Sequence, residues 1–431
     1  MGKLQVLHIG LDDTDSKDGM CTTYVGAVVV DRLIDIGAKI IDYPHLIRLN
    51  PNWILKTRGN CAIAIKVEAK DELIPSIKKM VLKTVEQLAE LDHETTNPGV
   101  VFLKGENIPE ELGAFSRKVI QDIVTIDEAE ELAKRIGAEF FKFKIGRGII
   151  GALAAIGEEL EQDFTYELIA YRLPSNRGKE RKIDRESVFK MNELTYPDTF
   201  DNIDLNTGEI RITPHTPCPI LYGIRAESSW IAEKAHGMVK AFEPIERWVI
   251  YKANQATDEH IKSSKISEVK PYRSFVVEGE VCDKPRIIVG GHVIFTIKDD
   301  GDKIDCAAYE PTRKFREVIM KLAIGDIVKV YGGIKPKPNL PLTINLEKIE
   351  VVKLSPIFKK LNPICPLCRR RMKSAGKEKG FVCKNCKQKL PRETVIIGEM
   401  PRSITVGIYE VPPRARRHLA KPLVRLSPRI W

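Results

Sequence analysis

A chain of 431 residues exceeds one ordinary hydrophobic core, and its 43% apolar share can build roughly two to four of them. Charged residues at 30%, with no apolar run near the ~18 residues that spanning requires, exclude a membrane-spanning protein. The net charge of +10 is uneven: residues 356–431 hold 19 Lys/Arg against 4 Asp/Glu, whereas 1–355 hold 50 against 55. A basic end on a mildly acidic body points to a polyanionic partner, nucleic acid first, with a solvated basic tail as the plainer alternative.

In chain order, residues 4–11 form an apolar, β-prone run, 12–19 an acidic turn, and 22–36 a helical pattern. The start, Met1 to Val6, has no apolar leader, which sets the expectation of a cytoplasmic, soluble protein. A strand is expected at 61–67, helices at 71–92 and 127–136, and a strand at 139–145. A turn at 146–151 then leads into a small-residue stretch at 152–160. This alternation predicts a first α/β domain over 1–160. Strands at 165–172 and 247–252, with a helix at 229–241 between them, predict a second α+β domain over 161–270.

Residues 271–355 change character. Short strands at 273–281, 292–297, 303–309, 327–332 and 342–352, with a helix at 311–322 between the third and fourth, follow the order of an OB-fold. An SH3-like barrel or a β-sandwich is the alternative. A ribbon is expected over 356–400 and a basic C-terminal tail over 401–431.

Nine cysteines sort themselves. Five are dispersed, which argues against a disulfide framework. Cys365-Pro-Leu-Cys368 and Cys383-Lys-Asn-Cys386, fourteen residues apart, have the spacing of a closed four-thiolate Zn2+ ribbon. Arg369, Arg370, Arg371 and Lys373 decorate it, the dress of a domain that grips a phosphate backbone.

Asp12, Asp13 and Asp15 crowd three carboxylates at a strand end, which suits Mg2+ beside a nucleotide or, more plainly, an acidic cap on the next helix. Cys21-Thr22-Thr23 opens that helix, where hydroxyls either cap it or sit by a phosphate. Lys56, Arg58 and Gly59 belong to a basic turn. Gly146-Arg147-Gly148 begins a run with dinucleotide spacing, but the repeated βαβ units are missing. It reads as a basic turn near a triphosphate or as a purely structural one. Thr216-Pro217-Cys218-Pro219 is a rigid turn leading into a strand, and Thr199 to Asn202 holds Asp201 beside Phe200.

The run Gly10 to Tyr24, Arg48 to Pro51, Lys56 to Asn60, Gly146 to Ala155, Asn254 to Asp258 and Tyr409 to Leu419 together resemble the archaeal tRNA 2-agmatinylcytidine synthetase (TiaS) family, over essentially the whole chain. The resemblance implies the order kinase-like domain, ferredoxin-like domain, OB-fold, zinc ribbon. It implies an ATP-dependent ligase that attaches agmatine to C-2 of the wobble cytidine (position 34) of the CAU-anticodon isoleucine tRNA. ATP would phosphorylate the C-2 oxygen and end as AMP and pyrophosphate, and the tRNA would then decode AUA. It further implies ATP and Mg2+ chemistry on Asp12, Asp13 and Asp15, with Thr22 a site of autophosphorylation. The Lys56, Arg58, Gly59 and Gly146, Arg147, Gly148 turns would bind the nucleotide. Agmatine is a dication that needs carboxylate or carbonyl oxygens, so Asp201 and Cys218 are its candidate contacts. Arg414, Arg416, Arg417, Lys421 and Arg425 would join the ribbon in holding tRNA. No membrane and no obligate protein partner is expected. A non-enzymatic nucleic-acid binder and a Mg2+-dependent phosphohydrolase are the competing readings.

Overall fold

The computed structural model describes residues 3–426. Nine strands, β1 (Leu4–Asp12), β2 (His45–Arg48), β3 (Cys61–Lys70), β4 (Gly99–Lys104), β5 (Glu139–Lys142), β6 (Thr165–Arg172), β7 (Thr199–Phe200), β8 (Ile220–Ala226) and β9 (Ile245–Ala253), pair in the order β5-β4-β1-β3-β2-β9-β6-β8-β7. The short strand Lys39–Ile40 adds to β3 as a tenth. Alternate residues of β3 face two separate cores, and the apolar side chains of β1 join the first. Leu7, Ile9, Leu11, Ile63 and Ile65 meet helices α1 (Thr22–Asp35) and α2 (Ile74–Leu88) on one face. Ala62 and Ala64 meet α3 (Glu110–Gln121), α4 (Ile126–Arg135) and α5 (Ile149–Gly157) on the other. Strand β4 and helix α3 carry no expectation from the sequence.

β2 and β9 pair in parallel, Lys252 opposite His45 and Ala253 opposite Leu46, so the two predicted domains share one sheet. Asn254 reinforces the seam by accepting from the Arg48 amide at 2.7 Å and donating to the Arg48 carbonyl at 3.1 Å. Helices α6 (Arg185–Thr195) and α7 (Ser229–His236) pack on the second half of the sheet around Ala170, Val188, Met191 and Tyr222.

The barrel follows the expected order closely: β10 (Ser274–Val281), β11 (Val293–Asp299), β12 (Asp302–Ala308), α8 (Lys314–Ile319), β13 (Ile327–Ile334) and β14 (Thr343–Lys353). Pairing runs β10-β13-β14-β12-β11 and closes through Glu280 opposite Lys298 on β10 and β11. The turn before β11 is Gly290-Gly291, both with positive φ (86° and 75°), which only glycine adopts cheaply. A two-stranded neck, Ile357–Leu361 against Ile396–Met400, carries the small ribbon, whose core is Cys365, Met372, Phe381 and Cys383.

The C-terminal end is not a loose basic tail. Within 401–426, β15 (Gly407–Glu410) adds to β14, with Lys348 opposite Glu410. A strap then runs back from the barrel to the sheet. Val411 is buried in the barrel core and Leu419 in the core beside Ile47, Leu49 and Ala62. Residues 427–431 of the expected tail lie outside the described residues.

Candidate active site

A cavity of about 800 Å³ opens where the C-terminal end of β1, the N-terminus of α1, the 53–60 turn, the second half of the sheet and the strap meet. Asp12, Thr22, Lys56, Asp201, Cys218 and His418 all line it. Residues far apart in sequence thus share one space.

The acidic end is built on close backbone approach. A Cβ on Gly148 would lie 2.5 Å from the Asp12 carbonyl oxygen, and one on Gly151 would lie 2.0 Å from Asp12 Oδ2. Glycine therefore lets the first turn of α5 press against the end of β1 and its carboxylate. Gly146 and Gly148, expected at the nucleotide, have backbone roles of their own here. They do not line the cavity; Gly146 abuts the Lys142 side chain and Gly148 abuts the Gly99 backbone, while Arg147 alone of the three reaches inward.

Arg147 Nη2 donates to Asp13 Oδ2 at 2.7 Å, and Arg58 donates to Asp15 Oδ2 through Nη2 (2.5 Å) and Nε (3.1 Å). Asp12 has no ion pair among the described residues; its Oδ1 accepts the Asp13 amide at 2.6 Å. Burial, and then the neighbouring Asp13 charge, pushes the Asp12 carboxyl well above the usual range. Burial raises Asp13 to about 6 against the pull of Arg147, and raises Asp15 against Arg58. Two of the three carboxylates expected to hold Mg2+, Asp13 and Asp15, are each paired with a separate arginine. Among the described residues, Cys365, Cys368, Cys383 and Cys386 are the one group of three or more His, Cys, Asp or Glu whose ligand atoms all lie within 4.8 Å of one another.

Thr22 is the first residue of α1 and only 2% exposed; its Oγ1 accepts from Thr14 Oγ1 at 3.1 Å. No side chain caps this helix, so the hydroxyls of Thr22 and Thr23 are not spent on capping. The basic turn stands opposite. A Cβ on Gly59 would come within 2.7 Å of Arg48 Nη1, so glycine is what lets Arg48 lie under the turn. Burial, followed by the charges of Arg417 and Lys335, lowers the Lys56 ammonium.

Deeper in the cavity, charges alternate. Glu167 faces Arg48 at 3.4 Å and Arg225 at 3.8 Å; Arg225 meets Asp201 at 3.4 Å; Asp201 also holds Arg416, which reaches Glu410 at 2.6 Å. Asp201, the candidate agmatine contact, is thus paired with two guanidinium groups. Cys218 is 3% exposed and its Sγ sits 3.4 Å from Arg181 Nη2. Arg225, Arg416 and His418 were not singled out for this cavity by their sequence context. Charge alternation between distant elements leaves no local pattern to find.

The strap carries a further set. Arg416 is bound to Asp201 and Glu410, Arg417 to Asn52 and Glu347, Lys421 to Asp163 (2.9 Å), and Arg425 to Asp163 and Glu227; Arg414 lies 4.0 Å from Glu209. These ion pairs hold the strap down. On the ribbon, by contrast, Arg369, Arg370, Arg371 and Lys373 are exposed.

The four sulfurs stand 3.3 Å (Cys365–Cys386), 3.4 Å (Cys368–Cys383) and 3.7 Å (Cys368–Cys386) apart. A tetrahedron with Zn–S bonds of ~2.3 Å has edges of about 3.8 Å, so the set fits that ion. Backbone amides of Cys368 and Leu367 lower the Cys365 thiol, and those of Cys386 and Asn385 help lower Cys383 to about 6, which favours thiolate.

Comparison with known proteins agrees with this layout. Residues 8–145 match the TiaS TCKD domain, 146–260 the TiaS FLD domain, 275–352 an OB-fold nucleic acid binding domain and 362–404 the TiaS C-terminal zinc ribbon domain. The chain is 47% identical over 421 residues to the tRNA 2-agmatinylcytidine synthetase TiaS of Pyrococcus horikoshii, covering 97% of each chain. It is 46% identical over 422 residues to that of Archaeoglobus fulgidus, again covering 97% of each. A solved apo TiaS superposes with TM-score 0.89 at 45% identity, covering 97% of each chain. A complex of TiaS with its isoleucine tRNA, AMPCPP and agmatine superposes with TM-score 0.85 at 42% identity, covering 98% of this chain and 97% of that one.

Proposed function

The chain belongs to the TiaS family, and from that premise we propose that it is an ATP-dependent ligase joining agmatine to a cytidine of the CAU-anticodon isoleucine tRNA. The observation that carries the reading is the single cavity that unites the Asp12 carboxylate, the Lys56–Asn60 turn and the Arg48–Glu167–Arg225–Asp201 network.

The physical chemistry runs in order. The C-2 oxygen of cytosine is a poor leaving group, so it must first carry a phosphate, with which it departs when the amine attacks. Lys56, Arg58 and Arg147 surround the acidic end and would stabilise charge on a transferring phosphoryl group. That role makes the first unit kinase-like in its chemistry. Asp12, crowded by acids and lacking a cation partner, is the carboxylate best suited to a Mg2+ ion, with Asp13 and Asp15 adjoining. Magnesium there would neutralise polyphosphate charge. Thr22, uncapped and at the cavity wall, is the proposed acceptor in autophosphorylation.

Agmatine would enter the deeper, carboxylate-bearing half near Asp201 and Cys218, where it must compete with Arg225 or Arg416 for Asp201. The OB-fold would hold the anticodon loop with its reacting base unstacked. The ribbon, held together by Zn2+ on its four cysteines, would present Arg369, Arg370, Arg371 and Lys373 to the tRNA backbone.

Incubation with labelled ATP, the isoleucine tRNA and agmatine tests the reading. A mass increase on one anticodon cytidine that needs all three, with AMP formed, is expected. Phosphate release without amine incorporation, or tRNA binding without ATP consumption, would contradict it.

A further inference from the structure

His418 arrives in the cavity on the strap and is locked on both sides. Its carbonyl accepts from the Ala256 amide at 2.8 Å, and the next carbonyl, that of Leu419, accepts from the Asp258 amide at 2.8 Å. Val411 and Leu419 anchor the flanking chain in two different cores. The ring is therefore placed by three parts of the molecule at once, a degree of fixation that a surface residue does not need.

Its protonation follows from its partner. Arg225 Nη2 lies 2.6 Å from His418 Nδ1. An arginine stays protonated and can only donate, so Nδ1 must carry the lone pair. The ring is then neutral with its one proton on Nε2. Burial, together with the charges of Arg48, Arg225 and Lys56, holds it in that neutral form across the physiological range. Nε2 makes no hydrogen bond to a described residue and lies beside the basic turn: a Cβ on Gly59 would be 3.5 Å away. A fixed N–H thus lines the cavity beside Arg48, Lys56 and Arg225. Glu167 and Asp201 pair with the two arginines, whereas Lys56 meets no carboxylate among the described residues and keeps its charge for an oxyanion at the turn.

We infer that His418 is a substrate-contacting residue whose Nε2–H donates to a phosphate oxygen of the bound substrate beside the Lys56–Asn60 turn. The inference rests on the reaction proposed above for this cavity. The phosphate belongs either to ATP or to the tRNA, and separate binding measurements distinguish them. Neutral histidine suits this place because it adds a donor without adding a charge beside Arg48, Arg225 and Lys56.

The test uses the full-length protein with His418→Leu, which removes the donor, and His418→Gln, which keeps one at similar reach. AMPCPP affinity without tRNA and tRNA affinity without nucleotide are measured for each, alongside melting temperature. Loss of one charge-assisted hydrogen bond predicts about 10- to 100-fold weaker binding of one ligand in His418→Leu. His418→Gln should recover most of it at the same melting temperature. Weaker AMPCPP binding assigns the contact to ATP, and weaker tRNA binding assigns it to the tRNA. Unchanged binding of both, or equal losses in both variants that track melting temperature, would overturn the inference. In ¹⁵N-histidine-labelled protein, the resonance lost in His418→Gln should report a neutral Nε2–H ring from pH 6 to 8, and an imidazolium there would also overturn it. Binding without product in the wild type would fault the proposed reaction while leaving these arms decisive for His418.

Discussion

Arg369, Arg370, Arg371 and Lys373 on the ribbon are exposed and meet no carboxylate among the described residues, whereas Arg416, Arg417, Lys421 and Arg425 on the strap each meet at least one. Both stretches belong to the same strongly basic end of the sequence. An arginine between protein carboxylates in a part-buried seam orders the chain it sits on. The same side chain in water keeps its charge for a partner. The free positive charge of the C-terminal end therefore lies mainly on the ribbon, and the strap's cations serve the architecture of the cavity.

The contrast can be broken most forcefully at the ribbon's four-cysteine site. Structural zinc contributes about 10–16 kcal/mol to folding of small ribbons. Cys365→Ser or chelation should unfold the ribbon and weaken tRNA binding while nucleotide binding by the rest of the chain survives; melting followed by both ligands checks this. Arg416→Ala attacks the strap and leaves Asp201 and Glu410 without their shared partner. Breaking such a pair costs about 3–5 kcal/mol, so this one change should lower the melting temperature markedly.

Acid should separate the two regions next. Burial alone would raise Glu347, but His260, Arg417 and Lys348 outweigh it and hold the carboxyl at about 2. A depressed folded value means stability that is complete above the unfolded value near 4.5 and is lost as pH falls toward 2. That contribution is on the order of 3 kcal/mol. Glu347→Gln should remove it from the pH dependence of denaturant unfolding, a slope to which the ribbon arginines contribute nothing. The smallest effect on stability belongs to Arg369→Ala, Arg370→Ala and Arg371→Ala combined, each within about 0.5 kcal/mol. Binding of tRNA should nevertheless weaken, and its log–log salt slope should fall by ~0.7–0.9 for each phosphate contact removed.

The barrel was legible because each strand alternates locally and Gly290-Gly291 marks its turn; β10, β13 and β14 begin within a residue of their expected positions. The four-cysteine ribbon was legible from spacing alone. The seam between β2 and β9 was not, because a parallel pairing between residues 45–46 and 252–253 leaves no local trace. The acidic cluster was legible as a site, but the arginines that divide it, Arg58 and Arg147, are placed by tertiary packing. Gly146-Arg147-Gly148 was half legible: the glycines serve a close backbone approach and the arginine between them serves the cavity. The packing of the strap was not legible, since composition counts charges without saying which have partners.

The most direct measurement concerns Asp13, which carries the acidic end of the cavity and touches no part of the ribbon. Asp13→Asn should abolish tRNA- and agmatine-dependent ATP consumption. Burial holds the Asp13 carboxyl at about 6, so its ionisation costs stability as pH rises from about 4 to 6. The variant should therefore lack that fall in the pH dependence of unfolding, and it should bind tRNA with unchanged affinity and salt slope. Full ATP consumption by the variant, or a loss of tRNA binding equal to the loss of activity, would contradict the assignment of the chemistry to this cavity and of the grip to the ribbon.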